Sequence, residues 1–313
     1  MDARHRHLVY GLVIESELPL TSVHDAAGDE RAADITILAG SSEYFATVVL
    51  PEPRNPENWI EHAVLDDGRV YMKSNEVFEA IISADGRTTI CRKLSDVEQR
   101  AFEANLLNFV VSASLTLQGE ETLHATVLEM GGHAVGLLGQ SGAGKSTLAA
   151  YLISRGADLI TDDMLRVDFA NRAMLAYAGP YRLKLLEGPA TSFLPDAVTD
   201  GHFNALSGKI MVRPRKDVRA HRPSAPLAAL FHIGMPDDAV ETIASRRLTG
   251  LELARTLMSS AMDTRYAKSS RMERQIRFAA RVAELLPVHA LRYPRTVEAL
   301  DGVAREIHRV IAS

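Results

Sequence analysis

Cysteine is nearly missing: Cys91 is the only one in 313 residues. That excludes an intramolecular disulfide and a thiolate metal cluster, and it fits a reducing compartment. Long apolar runs are missing too. No stretch approaches the roughly 18 apolar residues of a membrane span. Residues 8–14 are too short for a signal core, and Glu15 and Glu17 follow with no small-residue cleavage site. The chain reads as cytoplasmic. Nor is there an excess of positive charge, since 35 Lys/Arg stand against 40 Asp/Glu for a net charge of −5; this argues against a nucleic-acid partner. Internal repeats and low-complexity tracts are absent.

What remains is ordinary globular composition, 46% hydrophobic and 24% charged, over a length that suits two domains of about 150 residues each. The charge is split unevenly along it. Residues 1–118 carry 10 Lys/Arg and 19 Asp/Glu, whereas residues 119–313 carry 25 and 21, so the two parts should meet different partners.

Residues 1–96 read as a β-rich domain. β-prone runs cover residues 10–14, 35–38, 62–65, 70–72, 80–83 and 88–91, with Asp66-Asp67-Gly68 and Asp85-Gly86 as hairpin turns. Three prolines make residues 51–56 an irregular loop. The period changes after residue 97. Phe102, Leu106, Phe109, Val110, Ala113 and Leu117 recur at three- and four-residue spacing, which predicts a helix with one buried face, closed by Gly119. The second domain is placed at residues 97–313. Its strands are predicted at 123–129, 134–138, 157–161, 227–233 and 288–293, its helices at 145–155 and 297–311. Capping boxes at Thr249-Gly250-Leu251-Glu252 and Ser270-Arg271-Met272-Glu273 open two more helices. Strands mixed with helices give an α/β domain.

Between the strand at 134–138 and its helix stands Gly139-Gln140-Ser141-Gly142-Ala143-Gly144-Lys145-Ser146-Thr147, which contains the pattern G-x-x-x-x-G-K-[ST]. Glycines let successive N–H groups point into one concavity, where they bind phosphate oxygens. The helix starting near Lys145 adds its N-terminal partial charge. Lys145 is expected on the β- and γ-phosphates and Ser146 on Mg²⁺. The chain is thus expected to bind a nucleoside triphosphate. An N-K-x-D base-reading motif is absent, and Ala205-Leu206-Ser207-Gly208-Lys209 only faintly echoes a transporter-ATPase signature.

Thr161-Asp162-Asp163 ends the strand after the P-loop helix. Two carboxylates there can divide two tasks, one holding Mg²⁺ and one taking the proton of an attacking hydroxyl. His124 lies on a strand expected to pair with the one entering the loop, where it could orient or share charge with Asp162.

These residues resemble the HPr kinase/phosphorylase catalytic domain, in which a histidine, a GxxGxGKS loop and an "ADD" strand end recur in this order. His124 precedes Lys145 by 21 residues and Asp162 follows it by 17. Residues 155–163 read much like the family's "RGxxLVADD". The resemblance implies a P-loop kinase fold of the HPr kinase/phosphoenolpyruvate-carboxykinase type, acting on a Ser/Thr hydroxyl with ATP and Mg²⁺; the N-terminal β-rich domain departs from it, being more β-rich than the family's usual accessory domain. By carry-over Asp162 is the general base, Asp163 and Ser146 form the Mg²⁺ side, and Lys145 is the phosphate clamp. The family's second glycine-rich signature is replaced by Tyr177-Ala178-Gly179-Pro180-Tyr181-Arg182. In layout the chain is similar to the HPr-kinase-like group found with lasso-peptide biosynthesis, through a "YGLxIxSExPLP"-like segment at residues 10–20 and Leu123-His124-Ala125. That resemblance implies a precursor peptide phosphorylated at a C-terminal serine.

Lys209, Arg213, Arg215, Lys216, Arg219 and Arg222 form a cationic run. Lys209 or Arg213, and more weakly Arg182, are candidates to reach the phosphoryl group or a peptide carboxylate. The expected protein is an ATP-dependent serine kinase whose partners are a nucleoside triphosphate and a peptide or protein acceptor, with the acidic N-terminal part as recognition surface and homo-oligomerisation left open. A small-molecule hydroxyl kinase and a non-catalytic nucleotide-gated binding module are the alternatives.

Overall fold

The computed structural model describes residues 4–312 except 27, 51–58, 75, 95–96, 171, 204–206, 215–222 and 264–268. The loop expected at 51–56 therefore lies outside the described residues. Backbone contacts divide the chain into two units, residues 1–120 with 200–209, and residues 121–199 with 210–313.

The short β-prone runs of the first unit build one sheet. Its strands are β1 (His5–Val9), β2 (Leu12–Ser16), β3 (His24–Asp25), β4 (Ile35–Ala39), β5 (Ile60–Val64), β6 (Val70–Ser74), β7 (Phe78–Ile82) and β8 (Thr88–Lys93), in the order β3-β1-β2-β4-β8-β7-β6-β5. Pairing is parallel at β2/β4 and β4/β8. The single strand expected at 10–14 is instead half of a hairpin. Tyr10 and Gly11, with φ of 54° and 72°, make its two-residue turn, and β1 pairs β2 from Val9↔Leu12 to His5↔Ser16. Arginine and two histidines in β1 hid it from the hydrophobic pattern.

The predicted helix is present as α2 (Gln99–Asn105), a π-helical stretch (Leu106–Val110) and α3 (Val111–Gln118), ended by Gly119 at φ 92°. The expectation of one buried face does not hold. Leu107, Val111 and Leu115 are buried beside Phe102, Leu106, Val110 and Ala113, and so are the polar Asn105, Ser112, Ser114 and Thr116. A π-turn shifts the helical face by a residue, which breaks the simple period. The unit boundary also differs from the expected 96. Ser114 meets Thr89 of β8 at 3.5 Å, and the Gln118 amide donates to the carbonyls of Asp34 and Gly86 at 3.2 and 3.1 Å. These bonds tie the helical run to the first sheet, so the division falls at 120.

The second unit opens with β9 (Leu123–Met130), β10 (His133–Leu138), α4 (Lys145–Ser154), β11 (Asp158–Thr161) and β12 (Met164–Leu165). Then follow β13 (Val167–Ala170), β14 (Ala173–Tyr177), β15 (Leu183–Leu185), α5 (Glu187–Phe193), β16 (Val198–His202) and β17 (Ile210–Arg213). The last elements are β18 (Ser224–Ile233), β19 (Ala244–Arg247), α6 (Gly250–Ser259), α7 (Ser269–Leu285), β20 (Val288–Arg292) and α8 (Leu300–Ile311). The main sheet runs β11-β9-β10-β18 and continues through β20 to β19. β10/β18 and β18/β20 are parallel, while β9 is antiparallel to both β10 and β11. It follows that β11, β10, β18 and β20 all point one way and end on one edge.

Helices cover both faces of this sheet, which is why its inner strands read as continuous apolar runs. Val135 and Leu137 of β10 pack with Leu148 and Leu152 of α4 and Val303 and Ile307 of α8. Alternation sends Ala134 and Leu138 to the other core, with Leu253 and Leu257 of α6 and Val282 of α7. The two expected capping boxes do not form. Thr249 precedes α6 without a side-chain cap bond, because Glu252 pairs with Arg246 at 2.8 Å instead; Ser270 lies inside α7, which begins at Ser269. Among the described residues no helix is long and apolar enough to cross a membrane.

One buried charge pair fixes the start of α7. The Arg271 guanidinium donates to Glu121 at 3.2 Å and to the Met262 carbonyl at 2.6 Å, with both charged side chains only 3% exposed. Arg274 approaches the same carboxylate at 3.6 Å. Breaking such a pair leaves a desolvated charge, at a cost of about 3 kcal/mol or more. Arg271→Met should therefore lower the melting temperature by several degrees, whereas the double change with Glu121→Leu should recover most of the loss. A single variant that melts with the wild type would show the pair to be idle.

Candidate functional site

The edge where β11, β10, β18 and β20 end collects the groups with chemistry. Leu138, the last residue of β10, pairs with Ala125 on one side and His232 on the other. The chain then turns at Gly139, whose φ is 145°. A Cβ at that position would stand 2.5 Å from the Ile233 carbonyl oxygen, so only glycine lets the loop pass so close to β18. Gly144, at φ 91°, precedes α4 without any side-chain cap bond. The first amides of α4 thus lack a side-chain acceptor, the arrangement that favours an anion.

Lys145 is buried and folds back over the loop, its Nζ donating to the carbonyls of Gly139 at 2.7 Å and Gln140 at 3.1 Å. Gln140, Ser141 and Gly142 are exposed, Ala143 is buried, and Ser146 and Thr147 are half-buried in the first helical turn. His232 of β18 is close enough to feel this lysine. Burial first and the Lys145 charge second lower its pKa.

Two strand spacings along the sheet, about 10 Å, the chain leaves β11 at Asp162 and Asp163. Asp163 sits at φ 67°, a left-handed turn that stops the strand and lets both carboxylates reach Lys184. Asp162 accepts from the Thr126 hydroxyl at 2.7 Å and from the Lys184 main-chain N–H at 2.9 Å. Asp163 is ion-paired with the buried Lys184 ammonium and lies 3.8 Å from His124 Nε2. The expected partner of His124 was Asp162; the nearer carboxylate is Asp163. His124 and Thr126 share a face of β9 because they are two residues apart.

The environment separates the two acids. Burial, then the neighbouring Asp163 charge, raises the Asp162 pKa against the pull of its Lys184 and Thr126 bonds. Burial acts on Asp163 as well, but the Lys184 charge and the His124 hydrogen bond outweigh it and hold that carboxyl well below its ordinary range. Burial in turn lowers the Lys184 pKa, opposed by Asp163 and reinforced by the Arg182 charge. One carboxyl is thus inclined to take a proton and the other to stay ionised.

Of the weaker candidates, Arg182 is buried and adjoins Lys184 electrostatically. Arg213 is half-buried at the end of β17. Since Lys184 pairs with Met211, Arg213 falls two residues on, on the Lys184 face of the ribbon. Lys209 belongs to the first unit, and Arg215, Lys216, Arg219 and Arg222 lie outside the described residues. Sequence reasoning missed Lys184, Thr126 and His232. Thr126 carried a signal, its alternation with His124. Lys184, one cation between leucines, carried none, because its role comes from a contact 21 residues back in the chain.

For a divalent cation, the Ser146 hydroxyl and the Asp163 carboxylate supply hard oxygen donors of the kind Mg²⁺ takes, with phosphate and water completing the shell. Among the described residues no group of three or more His, Cys, Asp or Glu is arranged to hold a metal. Asp163 is already compensated by the Lys184 ammonium, so these two oxygens are donors of the right kind and not a preformed metal site.

Residues 115–187 match the family model of the HPr Serine kinase C-terminal domain, a stretch that holds the 139–146 loop, both aspartates, His124 and Lys184. Over 144 residues the chain is 24% identical to the HPr kinase/phosphorylase of Bacillus pumilus (strain SAFR-032), covering 46% of each protein; it spans about half the length of that curated relative. The solved structure of the Hpr(Ser) kinase/phosphatase from Coxiella burnetii aligns with 60% of this chain and 96% of its own, at 15% identity and a TM-score of 0.31, a score too low to carry an argument about fold.

Lys184→Met removes the cation that holds Asp163 ionised, and should cost about 3 kcal/mol near neutral pH. The sign follows from the lowered Asp163 pKa: its stabilisation is present above about pH 4 and is lost on acidification. The gap between wild type and variant should accordingly be widest near pH 7 and shrink below about pH 4. Melting curves across pH measure this, and a gap that does not change with pH overturns the assignment.

Proposed function

We propose that this protein is an ATP- and Mg²⁺-dependent kinase that transfers the γ-phosphoryl group to a serine hydroxyl of a peptide or protein. The observation that carries the reading is the buried Asp162–Asp163 pair, with opposite protonation tendencies, on the strand edge that also bears the 139–146 loop. A module that only binds nucleotide has no use for a proton acceptor held ready in this way. The match of residues 115–187 to the HPr Serine kinase C-terminal domain supports the same reading.

The residues divide the work as follows. The amides of the loop and of the first turn of α4 hold the β- and γ-phosphates, and Lys145 exchanges its bonds to Gly139 and Gln140 for phosphate oxygens. Ser146 and Asp163 would hold Mg²⁺, which when bound would supply neutralisation of phosphate charge. His124 and Lys184 orient Asp163. Asp162 accepts the serine proton as the hydroxyl oxygen bonds to the γ-phosphorus; the bond from that phosphorus to the β,γ-bridging oxygen breaks, and ADP leaves. Arg182 and Arg213 stand on the Lys184 side, suited to the charge on the phosphoryl group or to an acceptor carboxylate. The choice of a peptide acceptor over a small molecule rests on the resemblance of residues 10–20 to the lasso-associated group, which implies a precursor peptide phosphorylated at a C-terminal serine.

Mass spectrometry of candidate serine peptides and small alcohols incubated with MgATP tests the reaction and its acceptor. Lys145→Ala should abolish transfer. Asp162→Asn should keep nucleotide binding and lower transfer by a factor of about 10²–10⁴; wild-type turnover in that variant would refute the base assignment. Binding of ATP without transfer to any acceptor would leave the gated binding module standing.

A further inference from the structure

The aspartate pair lies on the β11 side of the phosphate loop. On the opposite side, the segments following β18 and β20 end on the same edge and have no task in the reaction described above. Arg295 dominates there. Its guanidinium stacks over the Tyr293 ring with 4.1 Å to the centroid, and Nη2 donates to the Gly234 carbonyl at 2.6 Å. Nη1 lies 3.5 Å from where a Cβ on Gly144 would stand, against the residue that opens α4. That Nη1 is buried and makes no well-formed hydrogen bond among the described residues, its guanidinium interacting only loosely with the Tyr293 hydroxyl.

An arginine fixed by a ring on one face and a carbonyl at one corner has little freedom left to lose on binding. A buried charged donor without a well-placed acceptor is costly, and a bound water, ion or ligand can complete it. Next to it, two large apolar side chains face solvent. Met235, 54% exposed, has its Cε 3.7 Å from the Cβ position of Gly142, and Val297 is 60% exposed.

The order along the edge gives the direction. Transfer to a hydroxyl at Asp162 requires the γ-phosphoryl end to face β11. The nucleoside end must then leave the loop toward β18 and β20. We propose that Arg295 holds the nucleoside half of the bound triphosphate, with Nη1 donating to a ribose oxygen, and Met235 and Val297 seating the base. This rests on the nucleotide reading of the 139–146 loop.

Calorimetric titration of MgATP and of magnesium tripolyphosphate separates the two claims. Arg295→Met should weaken ATP by about tenfold to a hundredfold, the range for a hydrogen bond to a charged group. It should leave tripolyphosphate affinity and the ligand-free melting temperature unchanged, and Arg295→Lys should fall between. Unchanged ATP affinity in Arg295→Met overturns the proposal. So does an equal loss of both ligands, which would make Arg295 a support of the loop rather than a nucleoside contact. Lys145→Ala should lose both ligands; if it kept both, the nucleotide reading itself would fail.

Discussion

Two adjacent carboxyl groups cannot both remain ionised in a buried site unless a cation compensates them. Much of the second unit's arrangement around its strand edge answers that constraint. Lys184 supplies the ammonium to Asp163 and its main-chain N–H to Asp162, so a single residue of β15 determines how the charge is shared. Thr126 supplies the second hydrogen bond to Asp162. The left-handed Asp163 ends β11 where both partners are in reach. Had β11 run on as a strand, the two side chains would point to opposite faces and the site would have one acid rather than two.

The parts that were legible in the sequence are those fixed by short stretches of backbone. Glycine spacing announced the 139–146 loop because close passage by Ile233 and an uncapped helix start demand particular dihedrals. The Asp-Gly turns at Gly68 and Gly86 marked hairpins for the same reason. What was not legible depends on distant contacts. The burial of most of α2 and α3, and their attachment to the first sheet through Gln118 and Ser114, could not be read from periodicity. The hairpin of β1 and β2 was hidden because His5, Arg6 and His7 lack the apolar signature. Glu252 had two suitors, a helix start and Arg246, and local pattern could not choose between them.

The family match ends at residue 187, yet the sheet that carries the loop does not. β18 and β20 lie beside β10 in the order of the same sheet, and Gly139 depends on the Ile233 carbonyl for its fit. The phosphate-proximal chemistry and the structure that supports it therefore come from different portions of the chain. The Lys184 side draws on that later portion too, since β15 pairs with β17.

The folded-back Lys145 has a consequence for selectivity. Its ammonium already spends its bonds on two carbonyls of its own loop, so an entering anion must outcompete a tethered internal ligand at very high local concentration. A small anion reaching only part of the loop exchanges bonds one for one and gains little. A polyphosphate, spanning the loop amides and the lysine together, gains several at once. On the nucleotide reading proposed above, the loop thus makes chain length of phosphate, rather than charge alone, the entry requirement.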